Sequence, residues 1–314
     1  MIYTSVVSGV YGDILQECVA CRNPHIRYWR KKNFHYTDGE AQKEFHIYRC
    51  ANCGTGFLNR PPHKQWLQAI YQYSGQALTQ AITLAEVLAR ETEFPNCTAD
   101  ASRMTERASQ LNRSGNRQAL DIGSGFGFCT HSLRKLGYRT VSINPGQYEN
   151  AVFRELNGDE PLPVVFEDYH AAEPFGIVML SQVLEHLLEP EQAIAKVGGL
   201  LAQNGVLACA VPNYHSVLVK LLGTKDNACL WIPEHVNYFT EKGLTTLLER
   251  NGFNVVKVEQ ITRIPAKALS KRLGLQGKSA AVMDALTQRW QNPFARLMNA
   301  LGWGIYLNVY AVKQ

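Results

Sequence analysis

The chain has 314 residues, of which 46% are hydrophobic and 19% charged, and a formal net charge of +5 at pH 7. This composition excludes a low-complexity chain and supplies enough apolar residues for one large core and a smaller satellite domain. No apolar run reaches membrane-spanning length, and Met1–Val10 lacks the positively charged start of a signal peptide. We therefore expect a cytoplasmic protein.

Two C-x-x-C pairs dominate the first part of the chain. Cys18 and Cys21 form one pair, and Cys50 and Cys53 form the other. Each pair can present two thiolates from one tight turn, and two such turns complete a tetrahedral four-cysteine site. Ordinary cysteines and disulfides are the alternatives, and a cytosolic chain makes disulfides the weaker one. We predict a four-cysteine zinc-ribbon domain over residues 1–62, with structural Zn²⁺.

The same region carries most of the positive charge. Residues 1–64 hold nine Lys or Arg and five acidic residues, and Arg27–Lys32 interleaves basic with aromatic side chains. Such a patch suits RNA phosphates and bases, the diphosphate of a sugar nucleotide, or simply a solvated face. The charge density is modest for a nucleic-acid binder, which favours the solvated face.

Residues 63–115 are predicted to be a helical lid or connector. Apolar residues recur at helical spacing over His63–Tyr73 and again over Ala77–Leu88. Residues 95–116 are polar, contain the helix breakers Pro95 and Ser114-Gly115, and are predicted to be a connection.

A glycine-rich turn follows at residues 119–127, which read A-L-D-I-G-S-G-F-G. A short apolar strand ends at Asp121, and glycines at every second position then lead into a helical run. Such a turn lets the backbone approach a ligand closely, and the helix N-terminus points free N–H groups at the same spot. A dinucleotide loop would have two residues before its third glycine. The turn therefore predicts a nucleotide-like cofactor of another kind.

Strands and helices then alternate to the end of the chain. Further strands are predicted at Arg139–Ile143, Leu162–Phe166, Gly176–Leu180, Gly205–Val211, Phe253–Ile261 and Ile305–Val312. Helices are predicted between them, as at Glu191–Leu201 and Glu241–Arg250. This alternation indicates an α/β fold with a parallel sheet covered on both faces.

The C-terminal region, residues 265–314, is predicted to be a helical insertion plus the last core strand. Apolar spacing over residues 264–304 suggests two helices, with Asn292-Pro293 as the cap and first position of the second. Lys267, Lys271 and Arg272 make its start basic. We expect this region to pack against the core or a partner subunit of a homo-oligomer, with membrane-surface attachment a weaker alternative.

Four motifs over residues 116–264 resemble the class I S-adenosylmethionine (SAM) methyltransferases. They are D-x-G-x-G-x-G, QVLEHLLEP, the pairing of L-x-x-N-G-V-L with V-P-N, and WIPEHVNYFTEKGLTTLLERNGF. The preceding Y-R-C-x-x-C-G-x-x-F-L-N-R-P-P is similar to one group of bacterial methyltransferases, many associated with surface glycans, deoxysugars or secondary metabolites. The resemblance implies a Rossmann-like, seven-stranded SAM-binding core behind the ribbon.

The resemblance also implies the cofactor-binding residues. The glycines should contact the methionine portion, Asp121 its amino group or the loop itself, and Asp168 or Glu167 the adenine. Asn144 stands where the family has the acid that binds both ribose hydroxyls, and Gly176 stands where many relatives have Asp. A Tyr-bearing helix before the core covers the cofactor in relatives. The cofactor-binding residues so predicted are Asp121, Gly123, Ser124, Gly125, Gly127, Asn144, Asp168, Gln182 and Tyr73, with Tyr71 as a second lid candidate.

Candidate catalytic residues follow the fourth and fifth strands. E-H-x-x-Y-F resembles the catalytic loop of sugar C-methyltransferases, and His186 falls at a matching histidine. We predict His235 as the base, oriented by Glu234, while His186 and Tyr238 bind substrate or polarise a carbonyl. The alternative is that both histidines are structural hydrogen-bonding groups.

Three functions are compatible with these residues. The first is a SAM-dependent methyltransferase that O- or C-methylates a small-molecule acceptor: a sugar, nucleotide sugar or glycan precursor. The second is an RNA methyltransferase that holds its substrate with the ribbon, although the N-P-P-[YF] signature of base amino methylation is absent and Val211–Tyr214 only partly matches it. The third is a silent scaffold, suggested by Asn144 and Gly176.

Overall fold

A computed structural model describes residues 11–35, 42–67, 82–89, 98–146, 148–225, 229–263, 270 and 274–314. Tyr71 and Tyr73, residues 68–73 and 77–81 of the two predicted connector helices, and the basic residues Lys267, Lys271 and Arg272 lie outside the described residues.

The described chain alternates between strands and helices after an all-β start. The strands are β1 Ile26–His35, β2 Gln42–Cys50, β3 Gly56–Leu58, β4 Gln118–Ile122, β5 Arg139–Ile143, β6 Phe175–Ser181, β7 Leu201–Pro212, β8 Asn237–Tyr238, β9 Phe253–Ile261 and β10 Tyr306–Lys313. The helices are α1 Leu84–Ala89, α2 Thr98–Leu111, α3 Phe128–Lys135, α4 Asn150–Asn157, α5 Pro190–Leu200, α6 Val217–Leu222, α7 Glu241–Arg250 and α8 Gly277–Ala300.

A six-stranded sheet in the order β5-β4-β6-β7-β10-β9 forms the core. Strands β5, β4, β6 and β7 run parallel, and β10 is antiparallel to both of its neighbours. All seven residues of β6 are buried, as its continuous apolar run requires of a central strand covered on both faces. The carboxyl ends of β4, β5 and β6 therefore meet along one edge, where the glycine-rich turn emerges.

The predicted strand Leu162–Phe166 is wrong. Only Leu162 pairs with the sheet, through a single parallel bridge to Ile143, and Phe166–Asp168 forms a turn of 3₁₀-helix. Pro161 and Pro163 flank that bridge and lack the N–H groups a ladder needs. The sheet consequently has six strands rather than seven.

The predicted connection over residues 95–116 is also wrong, because α2 fills most of it. Its buried residues recur at helical spacing. They are Ala101, Met104, Thr105 and Ala108. Three of the four are small, so the apolar stripe is faint in the sequence. Thr105 is satisfied by the backbone carbonyl of Ala101 and by the hydroxyl of Ser132, at 2.6 Å.

Within the C-terminal insertion, residues 277–300 form one continuous helix, α8. Pro293 lies inside α8, where a cap between two helices was predicted. Apolar side chains on this helix and just after it are about half exposed, so no described part of the core covers them. These residues are Val282, Leu286, Trp290, Leu297 and Leu301.

The N-terminal sheet has the order β1-β2-β3-β8, so a strand from the late loop completes it. Gly56 and Phe57 pair with Tyr238 and Asn237. Beyond β8, the Thr240 hydroxyl donates to the carbonyl of Cys53 at 2.7 Å, and Lys242 Nζ donates to that of Asn52 at 2.9 Å. The turn that carries Cys50 and Cys53 is thus bonded directly to the start of α7.

Candidate functional site

A cavity of about 430 Å³ lies at the carboxyl edge of the core sheet, and we call it the cofactor cavity. The glycine-rich turn between β4 and α3 forms one side, and the turn after β6 forms the other. Of the predicted cofactor residues, those lining it are Asp121, Gly123, Ser124, Gly125, Asn144 and Gln182. Gly127 caps α3 behind them.

Glycine occupies two positions of the turn for different structural reasons. Gly123 has φ +64°, and a Cβ there would come within 2.5 Å of Val183. Gly125 has φ +50°, and a Cβ there would meet nothing within 4 Å. The first glycine is therefore required by packing. The second leaves a space against which a ligand can approach the backbone, as a bound SAM would need.

Asp121 is buried at the base of the cavity, where Thr130 Oγ1 donates to its carboxylate at 2.6 Å. Burial raises the pKa of Asp121 to about 6, and the Thr130 hydrogen bond opposes that shift. A cationic ligand would favour the ionised carboxylate and offset the cost of burial. The cavity therefore suits a ligand whose positive group approaches this position.

The side chain of Asn144 does not stand alone at the end of β5. Its Nδ2 donates to the carbonyl of Gly146 at 3.1 Å and contacts Glu149 Oε2 at 3.5 Å. Glu149 also lines the cavity. The carboxylate of Glu149 thus lies beside the amide of Asn144, which stands where the family has an acid. Sequence reasoning missed Glu149 because it lies six residues past the end of β5 and five past Asn144, the expected position.

Of the two residues that the resemblance assigns to adenine, Glu167 lines the cavity wall and Asp168 does not. Val164, Val165 and Phe166 line the same stretch. The apolar wall followed by one carboxylate is the environment that a flat, weakly polar ring requires.

The turn after β6 carries Gln182 and His186 into the opposite wall of the cavity. Gln182 adopts φ +58°, a conformation that side chains other than glycine rarely take. Its backbone N–H donates to Ala210 O at 2.8 Å, which holds the turn against β7.

His186 contacts His235 of the late loop, with the ring centroids 4.6 Å apart and the planes at 86°. Each Nδ1 lies close to a backbone carbonyl: that of Glu234 at 3.0 Å for His186, and that of Cys229 at 2.8 Å for His235. Because a carbonyl only accepts, each Nδ1 carries the hydrogen. In the neutral rings, Nε2 is then the basic nitrogen.

Burial lowers the pKa of both histidines, that of His235 to about 4 and that of His186 well below its ordinary value. Burial also raises the pKa of Glu185 to about 8 and that of Glu234 to about 7. Both imidazoles are therefore neutral at pH 7, and Glu185 is protonated.

Glu185 is a site residue that the sequence analysis missed. One of its carboxylate oxygens and a ring nitrogen from each histidine lie within 4.8 Å of one another. The residue is 1% exposed, and neither oxygen has a hydrogen-bond partner in the described part of the chain. A carboxyl beside two imidazoles suits proton exchange, and the same donor set suits a divalent cation. The only available signal was its place next to His186.

The late-loop predictions need two corrections. The ring of His235 is oriented by the Cys229 carbonyl through Nδ1, whereas Glu234 uses its backbone carbonyl on His186. Tyr238 is 1% exposed, and its hydroxyl donates to His235 O at 2.8 Å. Of the four predicted catalytic residues, only His186 lines the cofactor cavity. His235 packs behind it, because β8 draws the loop into the ribbon sheet.

The four predicted metal ligands converge. Cys18 Sγ lies 3.6 Å from Cys53 Sγ, and Cys21 Sγ lies 3.5 Å from Cys50 Sγ. All four sulfurs lie within 4.8 Å of one another. Tetrahedral zinc with Zn–S bonds of about 2.3 Å requires sulfurs about 3.8 Å apart, so the cluster fits that ion. Backbone N–H groups of Ala20 and Asn52 approach sulfurs at 3.4 Å.

Comparison with known proteins agrees with this architecture. A family model described as "Methyltransferase domain" matches residues 85–258. Ubiquinone biosynthesis O-methyltransferase from Rhodopseudomonas palustris (strain HaA2) is 25% identical over 171 residues, covering 51% of this chain and 67% of that protein. The protein of the same name from Bradyrhizobium diazoefficiens is 26% identical over 199 residues, covering 60% and 72%.

A solved structure shows the same fold. It is a chain from the complex between the Haloferax volcanii Trm112 methyltransferase activator and a methyltransferase. The TM-score is 0.50 at 14% identity, with 77% of this chain and 95% of that chain covered. The matched family model spans more than half of the chain, including the glycine-rich turn and all residues lining the cofactor cavity except Lys64 and Leu67. The chain therefore belongs to the methyltransferase domain family and is a SAM-dependent methyltransferase.

Proposed function

We propose that the protein transfers a methyl group from SAM to a hydroxyl of a small acceptor: a sugar, nucleotide sugar or glycan precursor. The observation that carries this proposal is the shared cavity, which has the glycine-rich turn on one side and His186 on the other. The relatives named as O-methyltransferases favour oxygen over carbon as the acceptor atom. The bacterial glycan-associated resemblance of the ribbon favours the sugar.

SAM, when bound, supplies an electrophilic methyl group, and the protein has to align the acceptor with it and take the acceptor's proton. His186 lies at the cavity wall with Nε2 as its basic nitrogen, so we assign it as the base that takes the acceptor's proton. His235, the base that the sequence predicted, packs against His186 and is 9% exposed.

The four cysteines are proposed to hold structural Zn²⁺. Four protein ligands leave no open coordination position, so the ion would fix the ribbon rather than take part in the chemistry. Through Thr240 and β8, the ribbon would in turn fix the late loop that places His235 behind His186.

The test is transfer of labelled methyl from SAM to a panel of nucleotide sugars, simple phenols and RNA oligonucleotides. We expect label in an O-methylated sugar. Label only in a phenol would contradict the sugar acceptor, and label only in RNA would assign the ribbon to nucleic acid. His186→Gln should lower kcat about 100-fold and leave SAM affinity within about two-fold, because only the proton acceptor is lost.

A further inference from the structure

A second cavity, of about 1170 Å³, lies between the ribbon, α6 and α7, and we call it the ribbon groove. Buried Tyr214, Tyr238 and His235 stand between it and the cofactor cavity: the two tyrosine rings are 5.7 Å apart, and Tyr238 bonds to His235. None of the residues that line the groove lines the cofactor cavity. The ribbon groove is therefore a separate site.

Two arginines occupy one end of the groove. The guanidinium of Arg49 lies between the rings of Trp29 and Tyr214, 4.8 and 5.0 Å from their centroids, and its Nη2 donates to the Tyr214 hydroxyl at 3.3 Å. The guanidinium of Arg30 lies over the same Trp29 ring at 5.3 Å. The aromatic rings hold these side chains in place before any ligand arrives, which lowers the entropy cost of binding.

The charge at this end is not neutralised by the described part of the protein. No described carboxylate forms an ion pair with Arg30 or Arg49, and Arg49 Nε is buried without a hydrogen-bond partner. His215 and Lys220 line the same end. The pKa of His215 is lowered by burial and further by the charges of Lys220 and Arg49. Fixed, uncompensated guanidinium groups are suited to a phosphate.

The groove also has polar lining residues other than the arginines. Asn52, Thr245 and Glu249 are among them. Amide, hydroxyl and carboxylate groups recognise hydroxyls, which donate and accept. The groove therefore presents both cationic and hydroxyl-binding groups to one ligand.

We propose that the ribbon groove binds a phosphorylated sugar, with the phosphate at Arg30 and Arg49 and the sugar hydroxyls at Thr245 and Glu249. The concave site and its two kinds of lining group favour a small ligand over a polymer, which would need a continuous track of cations. Binding here does not depend on which molecule accepts the methyl group.

Calorimetry on the zinc-loaded full chain tests the site, with inorganic pyrophosphate and glucose 1-phosphate as probes. Arg30→Gln and Arg49→Gln should each lower the affinity for both probes by about ten-fold or more, because a charge-assisted contact is lost. Arg27→Gln is the matched control: Arg27 is exposed on the same strand and does not line the groove, so its loss should change affinity less than about two-fold.

The proposed sugar-binding residues Thr245 and Glu249 have their own test. Thr245→Val and Glu249→Gln should lower the affinity for glucose 1-phosphate and leave the affinity for pyrophosphate unchanged. SAM binding, measured on every variant, should stay at the wild-type value and so report that the fold is intact. Absence of saturable binding, equal weakening by Arg27→Gln, or tighter binding of an RNA oligonucleotide that also depends on Arg27 would each overturn the proposal.

Discussion

At the scale of single residues, Asp121 gives the cofactor cavity a pH dependence. Burial raises its pKa to about 6, and a cationic ligand favours its ionised form. SAM should therefore bind more weakly as the pH falls through about 6, since binding must then also remove a proton. Asp121→Asn should bind SAM about ten-fold more weakly at pH 7.5.

Titration calorimetry with SAM between pH 5 and 8 measures both effects. The variant should show less pH dependence than the wild type over this range, because the titrating group is gone. A variant whose affinity falls across pH 6 as steeply as that of the wild type would show that Asp121 is not the group responsible.

Glu149 is a second residue with a testable place in the cavity. The carboxylate of Glu149 can accept hydrogen bonds from the ribose hydroxyls of SAM, for which Asn144 offers only an amide. Glu149→Gln should therefore lower the affinity for SAM about ten-fold, because the neutral amide loses charge-assisted pairing. Glu155→Gln on α4 is the matched control, as Glu155 does not line the cavity. Equal affinity for the wild type and Glu149→Gln would remove Glu149 from the site.

Gly176, one of the two departures from the family pattern, has a local structural reason. A Cβ there would lie 2.1 Å from the backbone oxygen of Asn116, so the position has no room for the Asp that many relatives carry. Glycine at this position therefore reflects the close packing of β6 against Asn116. It gives no support to the alternative function of a non-catalytic scaffold.

At the scale of elements, the sequence predicts best where the pattern is local. β4, β6 and α7 were predicted because an apolar run or a 3.6-residue period marks each of them. The third strand was mispredicted because Pro161 and Pro163 outweigh the apolar residues around them. α2 was missed because small side chains make up most of its buried face.

Only part of the candidate site could be predicted, because only part of it is encoded by a local sequence pattern. The glycine-rich turn is contiguous in sequence, so its lining residues could be named in advance. The contact of His186 with His235, and Glu185 beside them, depends on the late loop joining the ribbon sheet through β8. No local pattern encodes that pairing.

The ribbon gives an element-scale prediction about metal. Removing the proposed zinc from the purified protein with a chelator should lower the Tm by several degrees, since the turn that carries Cys50 and Cys53 is bonded to the start of α7. Methyl transfer should fall as well, because the loop that carries His235 is held by the same ribbon. Zinc reloading should restore both in the wild type.

Cys53→Ser is the variant that tests the metal site directly. It should purify with less than one equivalent of zinc and should not recover on reloading. Full zinc content and an unchanged Tm in this variant would contradict the four-cysteine site.

At the scale of the whole molecule, ribbon and core form one continuous structure. Cys18, Cys50 and Cys53 belong to the same hydrophobic cluster as Leu180 of β6 and Leu244 of α7. Arg22 and Arg250 both contact Glu191 at the start of α5. The ribbon therefore supports the catalytic end of the sheet. No described helix has the length and hydropathy needed to cross a membrane.

The central claim is that SAM occupies the cavity beside the glycine-rich turn, and calorimetric titration of three proteins tests it most directly. They are the zinc-loaded wild type, Gly125→Asn and Gly137→Asn. Both glycines have positive φ and open space at Cβ, and asparagine tolerates that backbone. Only Gly125 lines the cavity.

The account predicts one SAM per chain with a micromolar Kd for the wild type and Gly137→Asn, and a loss of at least about ten-fold for Gly125→Asn. Equal binding by all three folded proteins, or no binding by the wild type, would contradict it.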